Sequence, residues 1–184
     1  MSADYFGLVK VGNKKVGERC AVFNMCAAHD YPSRRLGLCQ LQTCGFAKLG
    51  YCYAFRDEKR LPCTLHFRRR QGKAWAHGIS AFVHTLLAIQ EERPWVTECR
   101  FNEAGDVGSQ EEVYRLFALA RACPGYTVFG YSARSDLRWA GRPRNLRVNG
   151  SGWARGRMNE YRVVQRPSGK NPVCPGNCPE LRSV

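Results

Sequence analysis

The chain has no long apolar run. The longest, Phe82 to Ile89, is interrupted by His84 and Thr85, far short of the ~20 residues a membrane helix requires. Its opening residues, MSADYFGLVKVGNKK, lack the basic-then-apolar layout of a secretory signal. The expectation is a soluble, cytoplasmic protein with no membrane partner. Several catalytic signatures are missing too. There is no P-loop, no G-x-S-x-G elbow and no H-E-x-x-H pattern, so hydrolase and kinase readings have no support. His29, His66, His77 and His84 read as surface or core residues, although the last two are spaced to share a helix face. Acidic residues are scarce: 15 Asp and Glu stand against 29 Lys and Arg, a formal charge of +14. That imbalance implies an anionic partner, whether nucleic acid, a phosphate-bearing cofactor or an acidic protein.

What is present is a chain of 184 residues, 44% hydrophobic and 11% aromatic, long enough to bury a core as one domain and too apolar for disorder. Three stretches are distinguishable within it: a Cys-rich, loop-rich region over 1–70, a βαβ core over 71–150 and a basic tail with a cysteine pair over 151–184. After Gly72, Trp75, Ile79, Phe82, Val83, Leu86 and Leu87 recur at helical spacing, which predicts one helix over 73–92, stopped by Pro94. WVTECRFN reads as a strand. In GDVGSQEEVYRLFALARACPG, Ser109 and Glu112 form a capping box, Val113, Leu116, Phe117 and Ala120 a buried stripe, and Pro124-Gly125 the stop. YTVFGYS and NLRVNGSG read as further strands. Helices between short apolar strands predict an α/β fold, a partial (βα)n domain with a parallel sheet. In such sheets ligands gather at the carboxyl ends of the strands. Those ends are Asn102-Glu103-Ala104-Gly105-Asp106, Tyr131-Ser132-Ala133-Arg134 and Asn149-Gly150-Ser151-Gly152.

Ten cysteines are many for a chain with no sign of export, where thiols stay reduced and metal binding gains weight. Cys39, Cys44 and Cys52 are spaced C-x4-C-x7-C and could converge on one soft metal centre, zinc or iron–sulfur. The two CxxC knuckles of a zinc ribbon are absent. Cys174 and Cys178 flank a Pro-Gly turn. Either could supply a fourth ligand, or both could join Cys20 and Cys26 in a separate zinc site. Cys63, Cys99 and Cys123, each isolated, read as small buried hydrophobes.

The basic residues concentrate in two places. Arg68-Arg69-Arg70 with Lys73 is one. The other runs from Arg134 to Lys170, where ten basic residues, among them Arg138, Arg142 and Arg144, face only Asp136 and Glu160. Trp139, Trp153 and Tyr161 are interleaved there, a composition suited to phosphate contacts and base stacking. No motif for reading a groove is present, so a dedicated transcription factor is not indicated.

Over residues 39–150 these motifs, in this order, resemble the phage-encoded family known as gene product eighty-eight. The shared features are a cysteine run ending in Cys52-Tyr53-Ala54, a strand leading to Ala104-Gly105-Asp106, then a helix and a strand ending in Tyr131-Ser132. More distantly the layout looks like the first half of a radical S-adenosylmethionine barrel. That likeness implies that Cys39, Cys44 and Cys52 ligate a [4Fe–4S] cluster. It also implies that Glu103 or Asp106 binds the amino group of S-adenosylmethionine, with Tyr131 and Ser132 in the same site. The spacing here is longer than that group's Cys-x3-Cys-x2-Cys, and a cluster with four protein ligands fits the tail cysteines as well. Three functional readings result. The first is an iron–sulfur protein, located in the host cytoplasm if phage-encoded, whose basic face binds an anionic macromolecule. The second is a zinc-stabilised module that binds nucleic acid or a host protein without catalysis. The third is a radical enzyme acting on nucleic acid or a peptide.

Overall fold

The computed structural model describes residues 4–12, 16–26, 52–151 and 159–161. Within them the chain is α/β. Strands β1 (Asp4–Phe6), β2 (Val9–Val11) and β3 (Cys20–Phe23) come first, followed by helices α1 (Tyr53–Arg60), α2 (Pro62–Ala76) and α3 (Ser80–Glu92). Then come β4 (Glu98–Phe101), α4 (Gln110–Ala122), β5 (Thr127–Ser132), β6 (Leu146–Ser151) and β7 (Asn159–Tyr161). The strands form one sheet in sequence order, β1 to β7. β1, β2 and β3 pair antiparallel. From β3 onward every pair is parallel. Sequential parallel order with right-handed crossovers carries the connections across one face of a sheet.

The core shows this. Ala21 and Phe23, Cys99 and Phe101, Val128, and Leu146 and Val148 point to one face. They are buried there with Trp75 of α2, Phe82, Leu86 and Ile89 of α3, and Val113, Leu116, Leu119 and Ala120 of α4. At its centre Trp75 lies 5.7 Å from Phe23 and 5.5 Å from Phe82, ring centre to ring centre. α4 starts as its sequence predicts: Ser109 Oγ accepts from Glu112 N at 3.3 Å. The carboxylate of Glu112 accepts from Gly108 N at 2.7 Å, one residue before the partner a capping box would give it.

Two expectations are corrected. The helix over 73–92 is two helices, because the backbone breaks at His77-Gly78, where Gly78 takes φ +123°. Only glycine adopts that conformation readily. The first seventy residues are not ordered from outside the core in their described part: Val9, Val11, Ala21, Phe23 and Met25 belong to it. Gly72 permits this packing, since a Cβ there would lie 3.2 Å from the Met25 carbonyl oxygen and from Cys26 Cα.

Cys99 and Cys123 are fully buried core residues, as read from sequence. Burial pushes the Cys99 thiol well above its ordinary value, and the neighbouring Cys20 and Cys123 thiols add to the effect. Burial likewise raises Cys123 from 9.0 to about 11. Tyr126, which donates to the Leu86 carbonyl at 2.7 Å, is raised as well. A raised folded-state value means stability that is complete below the unfolded value and lost as pH climbs through the folded one. The unfolding midpoint should therefore hold up to about pH 9 and fall between there and pH 11. In Cys123→Ala the fall over that window should be shallower, whatever the variant's stability at neutral pH; equal slopes would contradict the assignment.

Candidate functional site

The carboxyl ends of β3, β4 and β5 meet at one edge of the sheet through buried polar side chains. Asn24, just past β3, donates through Nδ2 to Gln71 Oε1 at 3.0 Å, and its Oδ1 accepts from Ala104 N at 3.0 Å. Gln71 of α2 also donates to the Leu8 carbonyl at 2.6 Å. Asn102, just past β4, takes φ +53° and accepts through Oδ1 from Met25 N at 2.9 Å. These two asparagines lock the β3 and β4 ends together, and sequence reasoning missed Asn24 altogether. The signal for it was an asparagine directly after the apolar run CAVF.

Of the two carboxylates expected to bind a cofactor, Glu103 is partly exposed. It lines a cleft of about 420 Å³ with Lys10, Asn24, Cys63, Phe67 and Arg68 among its walls. Its Oε2 lies 4.0 Å from Lys10 Nζ. Asp106 is occupied internally. Its oxygens accept from Val107 N at 2.7 Å and Ala133 N at 2.6 Å, and Ser132 adds a side-chain hydrogen bond. Burial pushes its carboxyl above the ordinary value, and these bonds pull the other way. Ser132 also accepts from Arg134 N at 3.1 Å, so Asp106 and Ser132 staple the β4 end to the β5 end. Tyr131 is half-buried, with the Arg100 guanidinium 5.8 Å from its ring centre.

Cys52 is half-buried and stands immediately before α1, where it packs on Ala54 and on Ala104 of the β4–α4 connection. The last cysteine of the run thus sits at the carboxyl edge of the sheet, against the residue that follows Glu103. Cys39, Cys44, Cys174 and Cys178 lie outside the described residues. Among the described residues no three His, Cys, Asp or Glu side chains gather as a metal group. Cys20 opens β3 and Cys26 follows its end. Both are buried. Cys63 is exposed at the start of α2 rather than buried. It stands in the first turn of α2 and lines the cleft.

The arginines divide. Arg68 is buried in an ion pair with Glu58, Nη1 to Oε1 at 2.9 Å. Arg134 is buried too: it grips Asp136 with two bonds of 2.8 and 2.6 Å and reaches the carbonyls of Val107 and Gly108. That pairing holds the Asp136 carboxyl below its usual range. Arg70 donates to the Gly7 carbonyl at 2.7 Å, and Arg69 is half-buried. Arg138 and Arg144 are exposed and Arg142 half-exposed, on the β5–β6 connection.

Among the described residues, no helix is long and apolar enough to cross a membrane. No curated protein and no solved structure matches the chain. The family model for Gene product 88 matches residues 7–173, from β1–β2 through the basic tail. The chain belongs to this phage gene product family.

Proposed function

We propose that this protein is a small iron–sulfur protein whose cluster is held at the carboxyl end of the parallel sheet. Its ligands would be the thiolates of Cys39, Cys44 and Cys52, with Cys174 or Cys178 as the fourth. The observation that supports this is the seat of Cys52 against Ala104. It brings the end of the cysteine run to the edge where parallel sheets collect ligands, and its thiol is not in a disulfide. Thiolate donors suit an iron–sulfur centre, which supplies electron transfer or, where S-adenosylmethionine is bound, radical initiation. Glu103, which lines the cleft beside Lys10, is the carboxylate placed to meet the amino group of such a cofactor. The excess of positive charge supports an anionic macromolecule as partner.

The test is a cysteine series on protein purified without oxygen. C39A, C44A and C52A should each lose the visible absorption of the wild type. C63A should keep it, because Cys63 lines the cleft and is not in the ligand set. Full absorption in C52A would overturn the assignment.

A further inference from the structure

The helices do not share the chain's positive charge evenly. α1 and α2, joined through Leu61, carry seven Lys and Arg against Asp57 and Glu58. α3 has no Lys or Arg and ends in Glu91 and Glu92. α4 sets Arg115 and Arg121 against Glu111 and Glu112. α2 itself holds no acidic residue, and its buried side is Arg68, Gln71 and Trp75. The opposite side is exposed at His66, Arg70, Lys73 and His77. At 3.6 residues per turn these four fall within an arc of about 60°, and at 1.5 Å per residue they span about 17 Å. Among the described residues no carboxylate pairs with any of them. Asp57 lies beside Arg60 at 3.9 Å, and Glu58 is held by Arg68. Glu111, whose partner Arg115 also donates to the Trp75 carbonyl, is paired at 2.9 Å. Arg70 has neutral partners only: the Gly7 carbonyl, which it meets at 2.7 Å, and the Phe67 ring, 5.3 Å from its guanidinium carbon. These fix the side chain in place and leave its charge uncompensated.

We propose that the outward face of α2 is where this protein meets the phosphate backbone of double-helical nucleic acid. Arg70 and Lys73, one turn apart, would contact phosphates directly, with His66 and His77 as further donors at either end. Arg70 uses one N–H on Gly7 and keeps others for an anion. Three observations favour a duplex over other polyanions. The four outward positions carry no aromatic side chain, so there is no ring on which unpaired bases would stack, as single-strand binders provide. Phe67, next to His66, is half-buried, and the Arg70 guanidinium lies over its ring. Those positions also carry no large apolar side chain of the kind that anchors a protein interface. Finally, the cations stand on a rigid helix, and contacts to phosphate fix position without reading sequence. That agrees with the lack of a groove-reading motif in the chain.

This inference rests on the polyanion reading above, and the test separates the two. The full chain is titrated into a labelled 20-base-pair duplex, 20-nucleotide oligo(dT) and polyglutamate, with fluorescence anisotropy read from low to moderate salt. The wild type should bind the duplex most tightly, with affinity falling steeply as salt rises. Lys73→Glu should weaken duplex binding about tenfold and flatten the salt dependence by about one in log–log slope, equally for duplexes of unrelated sequence. Lys73→Gln should move both in the same direction. Lys73 is exposed, so both variants should unfold like the wild type. The combined variant R138A, R142A and R144A should bind like the wild type. A wild type that binds none of the three probes at low salt overturns both readings. Tighter binding to oligo(dT) or to polyglutamate, an unchanged Lys73→Glu, or loss confined to the Arg138–Arg144 variant overturns the α2 assignment alone.

Discussion

Replacing Arg68 by Ala should lower the unfolding free energy by about 3–5 kcal/mol, because it strands a buried charge. Arg68 and Glu58 bury 94% and 100% of their side chains and pair at 2.9 Å. Neither can shed its cost to water once the other is gone. Glu58→Ala should cost a similar amount, by the same reasoning. The double variant Glu58→Gln, Arg68→Met removes both charges together and should recover most of the loss, since isosteric replacement of a buried pair is often near neutral. Urea unfolding of the three variants measures this; a double variant as unstable as the singles would mean that the loss is packing, not charge. The pair also has a positional role. It ties α1 to α2, and α1 follows directly on Cys52, so on the proposed cluster reading the single variants should also hold less iron than the wild type.

The second large effect is expected at Asn102. Its left-handed backbone costs a non-glycine residue about 1–2 kcal/mol, which asparagine tolerates better than alanine. Its side chain satisfies the buried Met25 N–H, and an orphaned donor costs about 1–3 kcal/mol. Asn102→Ala meets both costs, a loss of roughly 2–4 kcal/mol. Asn102→Gly relieves the backbone and forfeits only the hydrogen bond, so it should lie between alanine and the wild type. Asn102→Asp keeps an acceptor at that point but puts a charge at a buried position, so it too should fall below the wild type. Chemical unfolding gives the order directly, and alanine at or above glycine in stability would show that the conformation carries no strain.

How far the sequence revealed this molecule depended on the length of each local signal. α4 was legible down to its cap because thirteen residues carry a clean period between Ser109 and Pro124. β5 and β6, six residues each, were legible for the same reason. β1, β2 and β3 are three or four residues long, too short for alternation to show, and the parallel partner of β3 is β4, far along the chain. The break at Gly78 was missed because the apolar period runs through it, and one φ value overrode the period. At the site, the strand ends 102–106 and 131–134 were legible as a place. The roles within them were not. Asp106 and Glu103 look alike in sequence, and only the structure shows that Asp106 accepts from the amides of Val107 and Ala133 while Glu103 stands beside Lys10. Arg68 and Glu58 each sit in a charged run, RRR and RDEKR, that reads as solvated surface. Nothing local says that one member of each run turns inward to meet the other.

Iron and acid-labile sulfide content of the full chain, purified without oxygen, bears most directly on the proposal of a cysteine-held centre at the carboxyl end of the sheet. Iron and sulfide in matching amounts, in a coloured sample, is the result expected from Cys39, Cys44 and Cys52 acting together. Stoichiometric zinc in a colourless sample, or no metal at all, would contradict it.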